Sequence, residues 1–580
     1  MSRKSESIHT SRRSFLGTAL KATIAGSALH AQSSFAARGL VSLKQQDSRP
    51  NILFCVSDDQ SWPHAGAYGC EAISTPAFDQ VAEEGILFNN AFCTMASCAP
   101  SRAAILSGQM NWRMIETASF DGWGSVFDSK HPVYPHILQA TGYEVGYTGK
   151  GWAPGDESGS GWAINPAGPQ FNHSTSWAKP ISYGYHNNFR NFLTARDTSK
   201  PFCFWFGSKE PHRPYGEGRG IAAGMDPSKV EVPPFLPDND IVRSDILDYM
   251  EETQHFDSDV QKMLTVLMEA GGQDVYENTI IVVTSDNGMP FPRAKHDNYE
   301  YSMHMPLAIR WGTGAPGGRV IDDLISFQDF APTFLEAAGV DVPAEMSGRS
   351  FLDILKSSKE GTVDSSRDRV FWGKEKSETY YPNRAMRTKK YLYMRNYETG
   401  ETPAKEDGYS PTSRYMIDHK NDPEVARLHD LWVGNRPAEE LYDIENDPGC
   451  LVNLAENSQY ADIKEQLAYD LNACMCWTDD PRAVDCNSVN AEQSAVRHGS
   501  TQQYAMHLAN DPARSLLTIT LPDNRSNSAV SVFNSTGKKV TAIQCLSGKG
   551  TWNYSPATRG TYYVEAINNG RKLIQRIIIR

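Results

Sequence analysis

The sequence predicts an α/β fold built on a large mixed, mostly parallel sheet between helices. Three observations carry this. Continuous apolar runs, rich in β-branched and aromatic residues, recur at 51–56, 143–148, 201–206 and 279–284. Such runs are buried on both faces, as in parallel sheets covered by helices. Helix-patterned segments, 76–84 and 245–270 among them, lie between the runs and supply crossovers. Each run also leads into polar or charged residues, where an open α/β sheet receives its ligands.

The remaining elements follow in order. Residues 1–36 read as a twin-arginine-type export signal, with Arg12-Arg13 before a weakly apolar stretch that carries Lys21. That stretch is too short and interrupted for a membrane span, so no transmembrane anchor is expected. The chain reads as exported: periplasmic, cell-surface or secreted. Residues 49–365 form the main α/β domain. Residues 366–484 form a smaller antiparallel subdomain, with a strand over 391–397, a turn at Asn446-Asp447-Pro448-Gly449 and an amphipathic helix over 459–474. Residues 485–513 read as a polar linker. Residues 514–580 carry five short strand patterns and read as a small β-sandwich, similar to the sorting or attachment modules of exported bacterial enzymes.

At 580 residues the chain exceeds a single core. Its formal charge of -13 speaks against nucleic-acid binding, which needs a basic face. An anionic substrate remains compatible, because a local basic pocket can sit in an acidic protein. There are 10 cysteines. Setting Cys98 aside leaves an odd number and implies no disulfide framework. Cys474 and Cys476 are too close to bridge each other; Cys450 and Cys486 are the available partners. Cys55, inside an apolar run, reads as core.

Chemistry concentrates at Cys98-Ala99-Pro100-Ser101-Arg102, a cysteine on a turn at the mouth of a short helix. Helix starts offer unpaired N–H groups and a positive dipole end, which suit an oxyanion. Run 51–56 leads to Asp58 and Asp59, and run 279–284 leads to Asp286 and Asn287. If the sheet is parallel, these meet at one edge. They are oxygen donors only, a set that selects a hard cation such as calcium or magnesium. Singly, each has a plain structural reading as a turn or helix cap; together they point to a metal site.

The Cys-x-Pro-Ser-Arg run followed by Ala103-Ala104-Ile105-Leu106-Ser107-Gly108 resembles the signature of the type I sulfatases, and the resemblance spans about 49–480. It implies the alkaline-phosphatase-like sulfatase fold. It implies that a maturation enzyme oxidises Cys98 to formylglycine (3-oxoalanine), whose hydrated aldehyde is the nucleophile. Asp58, Asp59, Asp286 and Asn287, with residue 98 (Cys98) as a further ligand, would then hold one divalent ion, usually calcium with magnesium as the alternative. Arg102 would orient the hydrate, Lys150 and Lys295 would bind sulfate, and His212 would touch the leaving atom. The family releases the covalent sulfate by elimination, aided by a histidine in Gly-Lys-x-His. Here Trp152 stands in that place. Another base must serve, with His186 and His304 as candidates, and Trp152 is free to act as a stacking wall for a sugar ring.

Within the family the motifs lean toward heparan N-sulfatases, or sulfamidases. The cues are Asp286-Asn287-Gly288-Met289-Pro290-Phe291-Pro292, Glu210-Pro211-His212-Arg213 and the run from Tyr381 to Arg387. The Gly-Trp-x-Pro-Gly stretch departs from them. Arg213, Arg384 and Arg387 are candidates for further anionic groups of a glycan, since arginine forks suit sulfate and carboxylate. The expected function is removal of sulfate, as ester or sulfamate, from a sulfated oligo- or polysaccharide. The rivals are a phosphonate or phosphate monoester hydrolase of the same superfamily, and an inactive sulfatase-like glycan-binding protein.

Overall fold

The computed structural model describes residues 48–171, 184–401 and 410–486, and strands between 507 and 579. The export-signal expectation lies outside the described residues. In chain order the first strands are β1 (Asn51–Ser57), β2 (Ile86–Phe92), β3 (Ser119–Phe120), β4 (Glu144–Gly149), β5 (Phe202–Gly207), β6 (Thr279–Ser285), β7 (His304–Arg310), β8 (Arg319–Ile321) and β9 (Ile325–Ser326). All but β3 form one eight-stranded sheet in the order β4-β5-β1-β6-β7-β2-β8, with β9 also pairing β2. The four predicted strands, β4, β5, β1 and β6, are adjacent and mutually parallel. β7 runs antiparallel to both β6 and β2.

The continuous apolar runs are explained by this packing. Along β1, Ile52, Phe54 and Val56 face one core while Leu53 and Cys55 face a second. β6 repeats the alternation, with Ile280 and Val282 on one side and Ile281 and Val283 on the other. A strand covered on both faces has no polar side to show, and each large side chain so buried contributes about 1.5–3 kcal/mol. One covering helix is Asp240–Val266, whose N-cap Asn239 accepts from the backbone N–H of Ile241 and Val242. It starts five residues before the predicted onset, where that cap sets its first turn.

A second sheet contains β10 (Arg369–Ser377), β11 (Thr379–Thr388) and β12 (Tyr391–Asn396). After a two-stranded pair, β13 (Gly400–Glu401) with β14 (Asn435–Arg436), comes β15 (Glu439–Asp443). The second sheet runs β15-β12-β11-β10-β3 and is antiparallel except where β3 joins β10. Helix Ala461–Trp477 packs on it through Leu467, Leu471 and Cys474. Cys476 is bridged to Cys486, while Cys450 and Cys474 are buried thiols.

Toward the C-terminus, a three-stranded and a four-stranded sheet enclose one small core, including Leu517, Ile519, Val530, Val532 and Val564. Among the described residues seven strands are present rather than five. His507–Asp511 lies inside the predicted linker, and Lys549–Asn553 has too few apolar residues to read as a strand alone. Among the described residues no helix is long and apolar enough to cross a membrane.

Candidate functional site

The site lies beyond the carboxyl ends of β1, β4, β5 and β6. β1 delivers Asp58 and Asp59, β4 delivers Lys150, the segment after β5 delivers His212, and β6 delivers Asp286 and Asn287. The tips of β4 and β5 approach so closely that a Cβ at Gly149 would lie 1.9 Å from the Gly207 carbonyl oxygen, and Gly149 has φ +77°. Only glycine fits there, and this crossing aims Lys150 at the site.

Helix α1 (Pro76–Glu84) is followed by helix α2 (Cys98–Ser107), which is buried throughout and carries Cys98 at its mouth. Extended Ser97 precedes it and left-handed Gly108 ends it. The Cys98 thiol donates to Asp58 Oδ1 at 3.1 Å and lies 3.9 Å from Asp59 Oδ1. Around it, three carboxylates face three basic side chains. Lys150 Nζ donates to Asp58 at 2.6 Å, Lys295 Nζ to Asp59 at 2.8 Å, and Arg102 Nε to Asp286 at 2.7 Å. Arg102 is held in place by Nη1, which donates to the carbonyls of Lys150 and Gly151. Its Nη2 has no hydrogen-bond partner and lies 4.0 Å from Asp58 Oδ1. His212 hydrogen-bonds the Arg213 carbonyl through Nδ1, at 2.6 Å, and turns Nε2 to Lys295 Nζ at 3.2 Å.

These contacts set the protonation states. Burial opposes ionisation of Asp58, but Lys150, His212, Arg102 and Lys295 together hold its carboxyl far below the usual range. Asp286 moves the other way, to about 6, because burial and the neighbouring carboxylates outweigh Arg102. Burial, with Asp58 and Asp286, pushes the Cys98 thiol well up, so the unmodified side chain is no thiolate. Burial and Lys295 lower His212, leaving a neutral imidazole.

Donor atoms of Asp58, Asp59, Cys98 and Asp286 all lie within 4.8 Å of one another. Asn287 Nδ2 donates to Asp59 Oδ1 at 2.7 Å, and its Oδ1 is buried without a hydrogen-bond partner. An orphaned carboxamide oxygen beside crowded carboxylates fits a hard cation.

Four predicted substrate contacts lie elsewhere or are already engaged. Trp152 is not a wall for sugar: it is 1% exposed, packs on Phe127 and donates Nε1–H to the Ala99 carbonyl, bracing α2. Arg384 is fully buried, paired with Asp480 and Glu375. Arg387 is buried and forked onto Glu300. Both arginines lie within β11 and tie the second sheet down, because a buried guanidinium demands carboxylate partners. Arg213 does border the site, but it is forked onto Asp245 at 2.8 and 2.9 Å. The two candidate bases are also displaced. His304 stacks on Trp62 and Phe92 and lies 3.1 Å from Glu300. The charged neighbours of His186 are Lys262, Asp259 and Arg190.

The sequence reading missed His296. Its Nδ1 lies 3.0 Å from Ser97 Oγ and 2.7 Å from Ser377 Oγ, and its N–H donates to the Ala96 carbonyl. It therefore flanks the residue that precedes Cys98. Adjacency to Lys295 was the available signal.

Comparison with known proteins agrees with this architecture. A solved structure bound to D-glucosamine-2-N,6-O-disulfate superposes with a TM-score of 0.57 at 21% identity, covering 75% of this chain and 99% of its own. The phosphonate monoester hydrolase of Agrobacterium radiobacter superposes at 0.55, with 17% identity over 74% of this chain and 96% of its own. The fold is thus that of the alkaline-phosphatase-like hydrolases. Residues 50–340 match the sulfatase family, and the chain belongs to it. Residues 294–430 match the C-terminal region of N-sulphoglucosamine sulphohydrolase, and residues 511–580 match a secretion system C-terminal sorting domain, a mark of export. An ulvan-active sulfatase of Formosa agariphila is 29% identical over 74% of this chain and 80% of its own length. Human N-sulphoglucosamine sulphohydrolase is 27% identical over 75% and 91%. The protein is a sulfatase, a hydrolase.

Proposed function

We propose that this sulfatase removes sulfate from a sulfated glycan, as ester or sulfamate, using residue 98 in its formylglycine form and one divalent cation, calcium. The observation that carries the reading is the convergence of three carboxylates, three fixed cations and Cys98 at one helix mouth. Burial beside Asp58 and Asp286 keeps the Cys98 thiol protonated, which supports the modified form, because a buried, protonated thiol is a poor nucleophile. The oxidised side chain supplies a geminal diol, one hydroxyl to attack sulfur and one to drive release. The cation, held by Asp58, Asp59, Asp286 and Asn287, supplies charge that polarises the sulfate oxygens.

The chain's own residues do the rest. Lys150, Lys295 and the unpartnered Nη2 of Arg102 balance charge on the sulfate oxygens. Arg102 also fixes the α2 turn against Asp286. His212, anchored through Nδ1, exchanges a proton at Nε2, with Lys295 as source and the departing oxygen or nitrogen as acceptor. His296 holds the Ser97 side of the turn.

The test uses protein matured in a host able to oxidise Cys98. The expected results are a formylglycine mass at the Cys98 peptide, about one calcium per chain, and sulfate release from sulfated oligosaccharides that a chelator abolishes. Turnover of aryl phosphonate in place of every sulfated substrate would assign the chain to the rival hydrolases. Unmodified Cys98 in material from the native host would assign it to the glycan binders.

A further inference from the structure

A cavity of about 340 Å³ opens from the catalytic side chains His212 and Lys295. It is at the small end of ligand sites and suits one sugar ring. Its wall is built unlike an anion pocket. Arg213, the only arginine of the wall among the described residues, is closed off: both Nη atoms bind Asp245, Nε donates to the Pro290 carbonyl, and the guanidinium lies over the rings of Tyr215 and Phe291. Asp245 is likewise saturated, accepting also from Thr412. Two further carboxylates remain. Asp248 is buried and accepts the backbone N–H groups of Gly218 and Gly220, and the carboxylate of Asp245 adds to the burial that disfavours its ionised form. Glu217 stands at the exposed rim, with Arg414 as its partner.

We propose, on the reading of the site given above, that this cavity accepts a sugar whose only anionic group is the sulfate being removed. Asp248 accepts hydrogen bonds from sugar hydroxyls or a sugar amine and repels a second sulfate or a carboxylate; Glu217, whose charge Arg414 partly offsets, does the same more weakly at the rim. A second anion would enter a wall in which, among the described residues, the one guanidinium is paired with Asp245 and the one ammonium, Lys295, with Asp59, and like charges at short range cost affinity.

Binding is measured with the full chain carrying Cys98→Ser, which holds substrate without turnover. Glucosamine with a single sulfate, on nitrogen or on O6, is compared with glucosamine bearing both. A monosulfated form is expected to bind about tenfold or more tightly than the disulfate. Glu217→Gln and Asp248→Asn, each added to that background, are expected to narrow the ratio about threefold, and about 0.5 M salt to narrow it in the parent. Glu217 is exposed, so its variant tests the idea even if the Asp248 variant fails to fold. Equal or tighter binding of the disulfate, a ratio unmoved by either substitution, or no binding of any monosulfated form would overturn the proposal. Turnover by the oxidised wild type is scored separately. Selective binding without turnover would sink the catalytic reading and leave this one standing.

Discussion

At the scale of the residue, a side chain's chemistry was legible but its partners were not. The oxygen donors Asp58, Asp59, Asp286 and Asn287 could be named from the sequence because strand ends and residue type sufficed. Arg384 and Arg387 could not be separated from ligand-binding arginines, because the carboxylates that claim them lie on other segments: Asp480, far along the chain, and Glu375, on the neighbouring strand, for one, and distant Glu300 for the other. Trp152 was misread for the same reason: nothing local shows that its indole faces α2. These placements have measurable consequences. Trp152→Ala should lower stability by about 3–5 kcal/mol through an unfilled cavity, read from denaturant unfolding. Substrate KM should move little beside that loss. Arg384→Met should cost about 3–5 kcal/mol, because Asp480 and Glu375 stay buried without their cation. A purely kinetic effect of either change would return it to the substrate site.

At the scale of the element, strands β1, β4, β5 and β6 were readable within one residue at either end because burial on both faces leaves an unbroken apolar signature. Helix ends were less so, since caps act through one or two hydrogen bonds. Asn239→Ala should destabilise the protein by about 1 kcal/mol, seen as a lower melting temperature with unchanged activity. The turn after β1 holds a pH-linked term. His64 is buried against Tyr249, and burial lowers its pKa to about 4. The folded state then refuses a proton that the unfolded chain takes up near 6.5. Stability from this group is complete above about pH 6.5 and is lost as pH falls toward 4, a change on the order of 2–3 kcal/mol. Melting curves across that range should show the fall, and His64→Gln should flatten it; an unaltered slope in the variant would refute the assignment.

At the scale of the whole molecule, the C-terminal sandwich has a core of its own, made only from its own strands. Ending the chain within residues 487–506 keeps the Cys476–Cys486 bridge and should leave sulfate release and the main melting transition intact, while cell fractionation should show the protein mislocalised. Loss of activity on truncation would mean that the sandwich supports the site. The sequence by itself determined the fold class, the Cys98 turn at a helix mouth and the oxygen-rich strand ends, because strand burial, helix-start signals and residue type are local properties. Only the tertiary structure decided which cations face which carboxylates, that His296 sits beside Ser97 and Cys98, and that Arg213, Arg384 and Arg387 are already paired. Those outcomes depend on contacts between residues far apart in the chain, and a buried charge takes whichever partner the packing brings within reach.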